Sequence, residues 1–290
     1  MFQSLGRGWT FLKQSWLLGQ RAPAVLFPTI VGLVVSVIIL LIMMLPLGGL
    51  IVYIRKEPWG QVAIGAMIGL LMVIMVAIAN TMTVLSSNLA GAALSGQKPT
   101  TAEAWIKASE LGGDLYWMGF GLPVYRIWLT LRRLLRTSKS GGWEDAEHLL
   151  VPVLANGKVS LREAPGQIVR MQADNCVFSA DSVAIRKVSV LLTLSALLIG
   201  LAAGLGAAWL VLTSELDAAR SRALAFGLTA LITAIFTLPV AQYCSYAVTL
   251  FNTCLYRWGI TVRDARKHET SANEAVPEPL AIALGIRSGR

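Results

Sequence analysis

The distribution of charged residues divides the chain into long apolar stretches and shorter polar ones. Four stretches contain no Asp, Glu, Lys or Arg and exceed the roughly 20 apolar residues that one transmembrane helix needs. We therefore predict an all-α integral membrane protein whose four transmembrane helices form two hairpins, in residues 22–97 and 188–256. The four charge-free stretches are Ala22–Ile54, Pro58–Gln97, Val188–Thr213 and Ala223–Tyr256.

The segment before the first apolar stretch, residues 1–21, has the pattern of an amphipathic helix. Its large apolar residues recur every three or four positions and share one helical face, while Arg7 and Lys13 lie off that face. A short basic helix with tryptophans is typical of the headgroup layer of a membrane. We expect it to anchor the entry to the first transmembrane helix or to bind a partner. The apolar positions are Phe2, Leu5, Trp9, Leu12 and Trp16.

Residues 98–187 form a central region that we expect to be cytoplasmic and interfacial. Within it, Leu115–Arg136 combines an apolar face with a basic one, which again predicts an interfacial amphipathic helix. A cytoplasmic tail, residues 257–290, follows the second hairpin and is expected to be flexible at its end. The tryptophans expected to anchor the protein at the interface are Trp9, Trp16 and Trp128.

Two apolar segments of the central region raise the alternative of six spans. Leu115–Leu131 and His148–Ala155 would be the additional helices. The basic loop Arg132–Gly142 between them would then lie outside, although basic loops tend to stay in the cytoplasm. The second segment is also too short to span a bilayer. We therefore predict that both segments lie along the cytoplasmic leaflet or dip into it.

Composition and charge narrow the class of protein. Hydrophobic residues make up 55% of the 290 residues and charged residues only 14%, whereas a soluble domain carries about 25% charged residues. This composition excludes a nucleic-acid-binding domain and most soluble enzymes. Of the 25 basic residues, 21 lie before Ala22, in residues 98–187 or from Arg257 onward. Because basic residues favour the cytoplasmic side, we predict that both termini are cytoplasmic.

Several short motifs occur in order along most of the chain. This set resembles an uncharacterised bacterial family of multi-span integral membrane proteins, which is classed as a domain of unknown function. The resemblance implies a multi-pass protein of the bacterial cytoplasmic (inner) membrane and implies no particular activity. The motifs are Trp9 with Leu12-Lys-Gln-Ser-Trp16, Leu26-Phe-Pro28, Asn88-Leu-Ala-Gly-Ala-Ala-Leu94 with Pro99-Thr100, Val151-Pro-Val-Leu154 with Asn156-Gly157, and Cys254-Leu-Tyr-Arg-Trp-Gly259.

Two G-x-x-x-G patterns lie inside predicted transmembrane helices. Gly65 and Gly69 belong to the second helix, and Gly200 and Gly204 belong to the third. Small residues at this spacing let two helix backbones approach closely in lipid. The pattern predicts helix packing, either within one chain or between two copies of it.

The second and fourth transmembrane helices each become polar in their second half. Because we predict that both helices run from outside to inside, both polar halves would lie in the cytoplasmic leaflet. Such a cluster could bind a lipid headgroup or a small polar ligand, or it could supply hydrogen bonds between helices. The residues that we expect to form the possible polar cluster are Asn80, Asn88, Gln242 and Asn252.

The sequence indicates no catalytic, metal or cofactor site. His148 and His268 lie in charged segments without a second ligand-type residue at a metal-binding spacing, so we expect both to be solvated surface residues. None of the four apolar stretches contains an ionisable Asp, Glu, Lys, Arg or His in its interior. That pattern argues against a monomeric ion-coupled transporter, which needs such groups at membrane depth.

These observations favour a non-enzymatic membrane protein that serves as a scaffold or accessory subunit of a membrane complex. Its basic cytoplasmic face would hold it against anionic lipid headgroups. The alternative is an oligomeric channel or transporter for a lipid or a small polar solute. The expected partners are the lipid bilayer and either a second copy of the chain or another membrane protein, and not nucleic acid.

Overall fold

The computed structural model describes residues 2–49, 57–114, 148–157, 159–174, 178–213, 218–268 and 276–285, and no strand occurs in these ranges. A short 3-10 turn, Pro23–Val25, joins the first two helices. The segment Leu115–Leu131, and with it Trp128, lies outside the described residues. The helices are α1 (Phe2–Arg21), α2 (Phe27–Gly49), α3 (Pro58–Leu94), α4 (Thr101–Glu110), α5 (Leu150–Gly157), α6 (Ala164–Asp174), α7 (Phe178–Leu212), α8 (Ala218–His268) and α9 (Glu278–Leu284).

Four helices are long and apolar enough to cross a membrane, which confirms the predicted number within the part of the chain that the structure describes. The apolar spans in α3 and α8 comprise 36 and 40 residues. At 1.5 Å per residue they are about 54 and 60 Å long, against a bilayer core of about 30 Å. One or both ends of each helix therefore extend beyond the hydrocarbon core. The four spans are Pro23–Met43, Trp59–Leu94, Ile185–Leu212 and Leu224–Arg263.

The outward surfaces of the spanning helices are apolar. Large side chains such as Ile42 on α2, Met72 on α3 and Leu210 on α7 are more than half exposed. Exposing such side chains to water is unfavourable, by about 25 cal/mol per Å² of apolar surface. In a bilayer the same surface meets acyl chains, while the helical backbone satisfies its own hydrogen bonds. The exposed surface is therefore the one that a multi-pass membrane protein requires.

The chain folds into two compact units. Unit 1 consists of Met1–Thr29, Asn80–Ser189 and Ser245–Arg290, and unit 2 consists of Ile30–Ala79 and Val190–Cys244. Unit 1 thus contains both chain termini and the central region, and unit 2 contains most of the apolar residues of the spans.

In unit 2, α7 and α8 approach each other closely at two glycines. A Cβ atom added to Gly200 would lie 2.9 Å from the Cα of Thr233, and one added to Gly204 would lie 2.9 Å from the carbonyl oxygen of Thr229. The Thr229 hydroxyl donates a hydrogen bond to the Gly204 carbonyl at 3.1 Å. Because the contacts follow opposite orders along the two helices, α7 and α8 are antiparallel here.

In unit 1, α1 is held by one of its faces. The Phe11 ring meets the Phe251 ring of α8 edge to face, with 5.1 Å between the ring centroids. The Tyr246 hydroxyl of α8 donates a hydrogen bond to the Ser15 carbonyl at 3.1 Å. Phe11, Leu12 and Ser15 are buried, so this face of α1 belongs to the protein interior.

The C-terminal helix α9 packs against α1. Leu280 and Ala281 of α9 are buried, and Glu278 accepts an exposed hydrogen bond from Arg21 at 3.5 Å. Gly285, with a φ of 70°, ends the helix in the left-handed conformation that suits glycine. The predicted tail therefore includes a docked helix, and its last residues, 286–290, lie outside the described residues.

Candidate polar site in unit 1

Two buried helix segments of unit 1 meet through polar groups. Ser87 Oγ of α3 lies 3.0 Å from Thr253 Oγ1 of α8. Four residues further along both helices, Arg257 Nη2 donates a hydrogen bond to the Gly91 carbonyl at 2.8 Å. Because the two contacts advance in the same order along both helices, α3 and α8 run parallel here. Both segments are buried on all sides, so their polar side chains need partners inside the protein.

The short helix α5 covers one side of this helix pair. Asn156 Nδ2 donates a hydrogen bond to Ser87 Oγ at 3.2 Å, and the Asn156 amide oxygen contacts Gly91 so closely that a Cβ there would overlap it. A Cβ added to Gly157 would lie 2.9 Å from the Tyr256 hydroxyl of α8. The two glycines therefore allow α5 to contact α3 and α8 directly.

The apolar residues of α5 face the protein interior. Leu150, Val153 and Leu154 are buried in unit 1, and the helix has eight residues, too few to cross a bilayer. We expected the segment His148–Ala155 to lie along the cytoplasmic leaflet or dip into it. The structure shows that its apolar residues are buried within unit 1, and its position relative to the leaflet stays a prediction.

Asn88 and Asn252 lie in these buried segments without hydrogen-bond partners. Asn88 is 7% exposed and Asn252 is 8% exposed. Both side-chain atoms of Asn88 and the Oδ1 atom of Asn252 are buried and unpaired within the described residues. An unpaired buried amide costs about 1–3 kcal/mol. The two asparagines are therefore the groups of this site that most need a further partner.

Arg257 supplies a positive charge beside the same contact. Its Nη2 atom also donates a hydrogen bond to Ser95 Oγ at 3.0 Å, at the C-terminal end of α3, where helix carbonyls carry partial negative charge. The Arg257 Nε atom is buried and unpaired, and no carboxylate among the described residues forms an ion pair with Arg257. The guanidinium thus stabilises the end of α3 and retains unused donors.

The four residues of the predicted polar cluster are divided between the two units. Asn88 and Asn252 are buried in unit 1, and Asn80 is a half-buried residue of the same unit, eight positions before Asn88. Gln242 belongs to unit 2. The polar pattern of the spans does not predict Asn156, because this residue lies outside them, in the motif Val151-Pro-Val-Leu154 with Asn156-Gly157.

His148 is buried, so the prediction of a solvated surface residue is wrong for this histidine. Its side chain is 9% exposed and its Nε2 atom has no partner in the described part of the chain. Burial, and after it the positive charge of Arg186, lowers the pKa of His148 from 6.5 to about 4. His148 is therefore neutral at pH 7. The side chain of His268 lies outside the described residues.

The four glycines of the two G-x-x-x-G patterns differ in their surroundings. Gly200 and Gly204 face Thr233 and Thr229 at the close contact of α7 with α8. Gly65 and Gly69 are exposed, and no described atom lies within 4 Å of a Cβ added to either. Two helices of one chain therefore meet at Gly200 and Gly204, whereas the described residues leave open space at Gly65 and Gly69.

The expected interfacial anchors on α1 are exposed. Trp9 and Trp16 are 47% and 50% exposed, whereas Leu12 of the same predicted stripe is buried. The stripe therefore does not form a single membrane-facing surface. Its tryptophans lie more than a third of a turn around α1, about 130°, from the face that Phe11 and Ser15 bury.

In the ranges that the structure describes, no three His, Cys, Asp or Glu side chains lie close enough to hold a metal ion. Comparison with protein-family models, with curated proteins and with solved structures finds no match to this chain.

Proposed function

We propose that the protein is a non-enzymatic, multi-pass protein of the bacterial inner membrane that serves as a scaffold or accessory subunit of a membrane complex. The observation that carries this proposal is the two-sided character of α1. One face is fixed by Phe11 and Ser15 against α8, and α9 adds a second fixed contact. The opposite surface of α1 is thereby exposed in a fixed orientation relative to α8 and α9.

The presented surface suits contacts with lipid headgroups and with another protein. Trp9 and Trp16 are about half exposed, Leu17 is 41% exposed, and Lys13 lies among them as an exposed basic residue. Tryptophan and lysine together favour the interface of a membrane with anionic lipids. In this proposal both termini are cytoplasmic, the four spans form two hairpins, and α1 lies in the headgroup layer beside the partner.

Photo-crosslinking in native membranes tests the scaffold role. A photoreactive amino acid at Trp16 should give adducts with one or a few other membrane proteins. The matched control is Trp209, a tryptophan of α7 that is 69% exposed on a spanning helix, which should give lipid adducts. Lipid adducts alone at both positions would contradict the scaffold role.

A homo-oligomeric channel or transporter for a lipid or small polar solute is the second candidate. The observation that favours it is the open space around Gly65 and Gly69, because a second copy could approach a helix at these positions. Native mass spectrometry separates the candidates. A closed homo-oligomer that dissociates on Gly65→Leu substitution supports the second, and a complex with a different protein supports the first.

A further inference from the structure

The register of α3 against α8 places Asn88 and Asn252 on the same side of the helix pair. Ser87 and Thr253 face each other across the contact, Asn88 follows Ser87, and Asn252 precedes Thr253. In two parallel right-handed helices, the residue after the contact on one helix and the residue before it on the other turn to the same side. At 1.5 Å per residue, the two asparagines are offset by about 3 Å along the helix axes.

Helix α5 covers that same side. Gly91, which contacts Asn156, is three residues after Asn88, and Tyr256, which contacts Gly157, is four residues after Asn252. Residues three or four apart share a helix face. The unpaired amides of Asn88 and Asn252 are therefore enclosed between α3, α8 and α5.

The unpaired groups define the chemistry of a partner. Asn88 and Asn252 offer acceptor oxygens that need an O–H or N–H donor, and Asn88 also offers an N–H donor. The unused donors of Arg257 lie about one helical turn further along the same helix pair, since Arg257 binds the carbonyl of Gly91, three residues after Asn88. An arginine without a carboxylate partner favours an anion with oxygen acceptors, such as a phosphate ester.

We propose that Asn88, Asn252 and Arg257 form a binding site for a phosphate ester that also carries a hydroxyl or ammonium donor, as in the headgroup of phosphatidylglycerol. This site does not depend on the scaffold role, because it lies in the interior of unit 1 and not on the exposed face of α1. Since both asparagines are more than nine-tenths buried, the bound molecule is enclosed and should remain with the protein during purification.

Titration of the delipidated, detergent-solubilised full-length protein tests the site, with native mass spectrometry and thermal unfolding as readouts. The probes are dioctanoylphosphatidylglycerol, glycerol phosphate and dioctanoylphosphatidylcholine, whose headgroup has no O–H or N–H donor. The phosphatidylglycerol should bind about tenfold more tightly than the phosphatidylcholine, because one lost hydrogen bond to a buried acceptor has roughly that effect. Binding of glycerol phosphate as tight as that of the lipid identifies a free phosphate ester, and binding of the lipid alone identifies a headgroup.

Asn88→Leu should weaken binding of the phosphatidylglycerol by about tenfold without destabilising the unliganded protein, because an apolar group of similar size replaces an unpaired amide. Asn80→Leu is the matched control on the same helix and should bind like the wild type. Equal binding of the two lipids to the wild type, or no binding of any probe, would overturn the proposal. The lipid comparison uses the wild type alone, so it decides the question even if a variant fails to fold.

Discussion

Acidification should destabilise unit 1 through His148, whose neutral imidazole is buried in the fold. Its pKa is about 4 in the folded protein, lowered by burial and then by Arg186, and 6.5 is the ordinary value. The unfolded chain therefore binds a proton at a higher pH than the folded one. The stability that depends on the neutral side chain is complete above pH 6.5 and is lost as the pH falls through about 4. Each pH unit between these values removes about 1.4 kcal/mol, which gives about 3 kcal/mol in total.

Unfolding of the detergent-solubilised protein between pH 8 and pH 4 measures this effect. The informative window lies between about pH 6.5 and 5.5, above the range in which most carboxylates titrate. There the wild type should lose about 1 kcal/mol, while His148→Gln should lose little, because glutamine does not titrate. His268→Gln removes the other histidine of the chain and should behave like the wild type. Parallel pH profiles for the wild type and His148→Gln would refute the reasoning.

Three further predictions concern the glycines and the number of spans. Gly200→Leu should destabilise the protein by about 1–3 kcal/mol, because its Cβ would lie 2.9 Å from the facing backbone of α8. Gly65→Leu in dilute detergent should unfold like the wild type, and equal losses of stability in the two variants would contradict the packing described here. Gly91→Ala should cost about 1 kcal/mol by displacing the Asn156 amide from its hydrogen bond, and an unchanged melting temperature would show that α5 does not rest on α3. A single cysteine at Ser138 should react with a membrane-impermeant maleimide only after lysis, and labelling in intact cells would establish six spans.

The spanning helices could be predicted from the sequence because a bilayer imposes a simple rule. A charge-free stretch of sufficient length has few alternatives to a transmembrane helix. The stretches Ala22–Ile54 and Val188–Thr213 correspond to the observed spans Pro23–Met43 and Ile185–Leu212. Three of the four ends agree within a few residues, and the exception is the end at Ile54, which lies beyond Met43. The second span extends almost to the predicted boundary at Gln97, since α3 continues to Leu94.

The packing of the segments outside the spans was harder to predict, because apolar periodicity does not distinguish lipid from protein. Leu12 shares a stripe with Trp9 and Trp16, yet it is buried against the protein while the tryptophans are exposed. The residues of α5 show the same ambiguity. The docked helix α9 has only seven residues, too few for a clear periodic pattern, and its position depends on contacts with α1 at the other end of the chain.

The candidate site was predictable only for the part that lies on the spans. Polar residues in an apolar helix are visible in a sequence, so Asn88 and Asn252 could be identified. Asn156 contacts Ser87 across 69 positions, and no local pattern encodes that contact. Gln242 carries the same side-chain amide group as the asparagines, but it belongs to unit 2, and the chemistry of a side chain does not indicate which unit it joins.

The parallel arrangement of α3 and α8 connects the topology of the chain to the chemistry of the site. Ser87 pairs with Thr253, and Gly91 with Arg257, each 166 positions apart, so corresponding turns of the two helices meet. Two spans can run parallel with one span, α7, between them when α3 ends on the side of the membrane on which α7 begins. Helix α5 is too short to be one of two added crossings. The parallel helices therefore agree with four spans, and the same arrangement turns both unpaired asparagines toward α5.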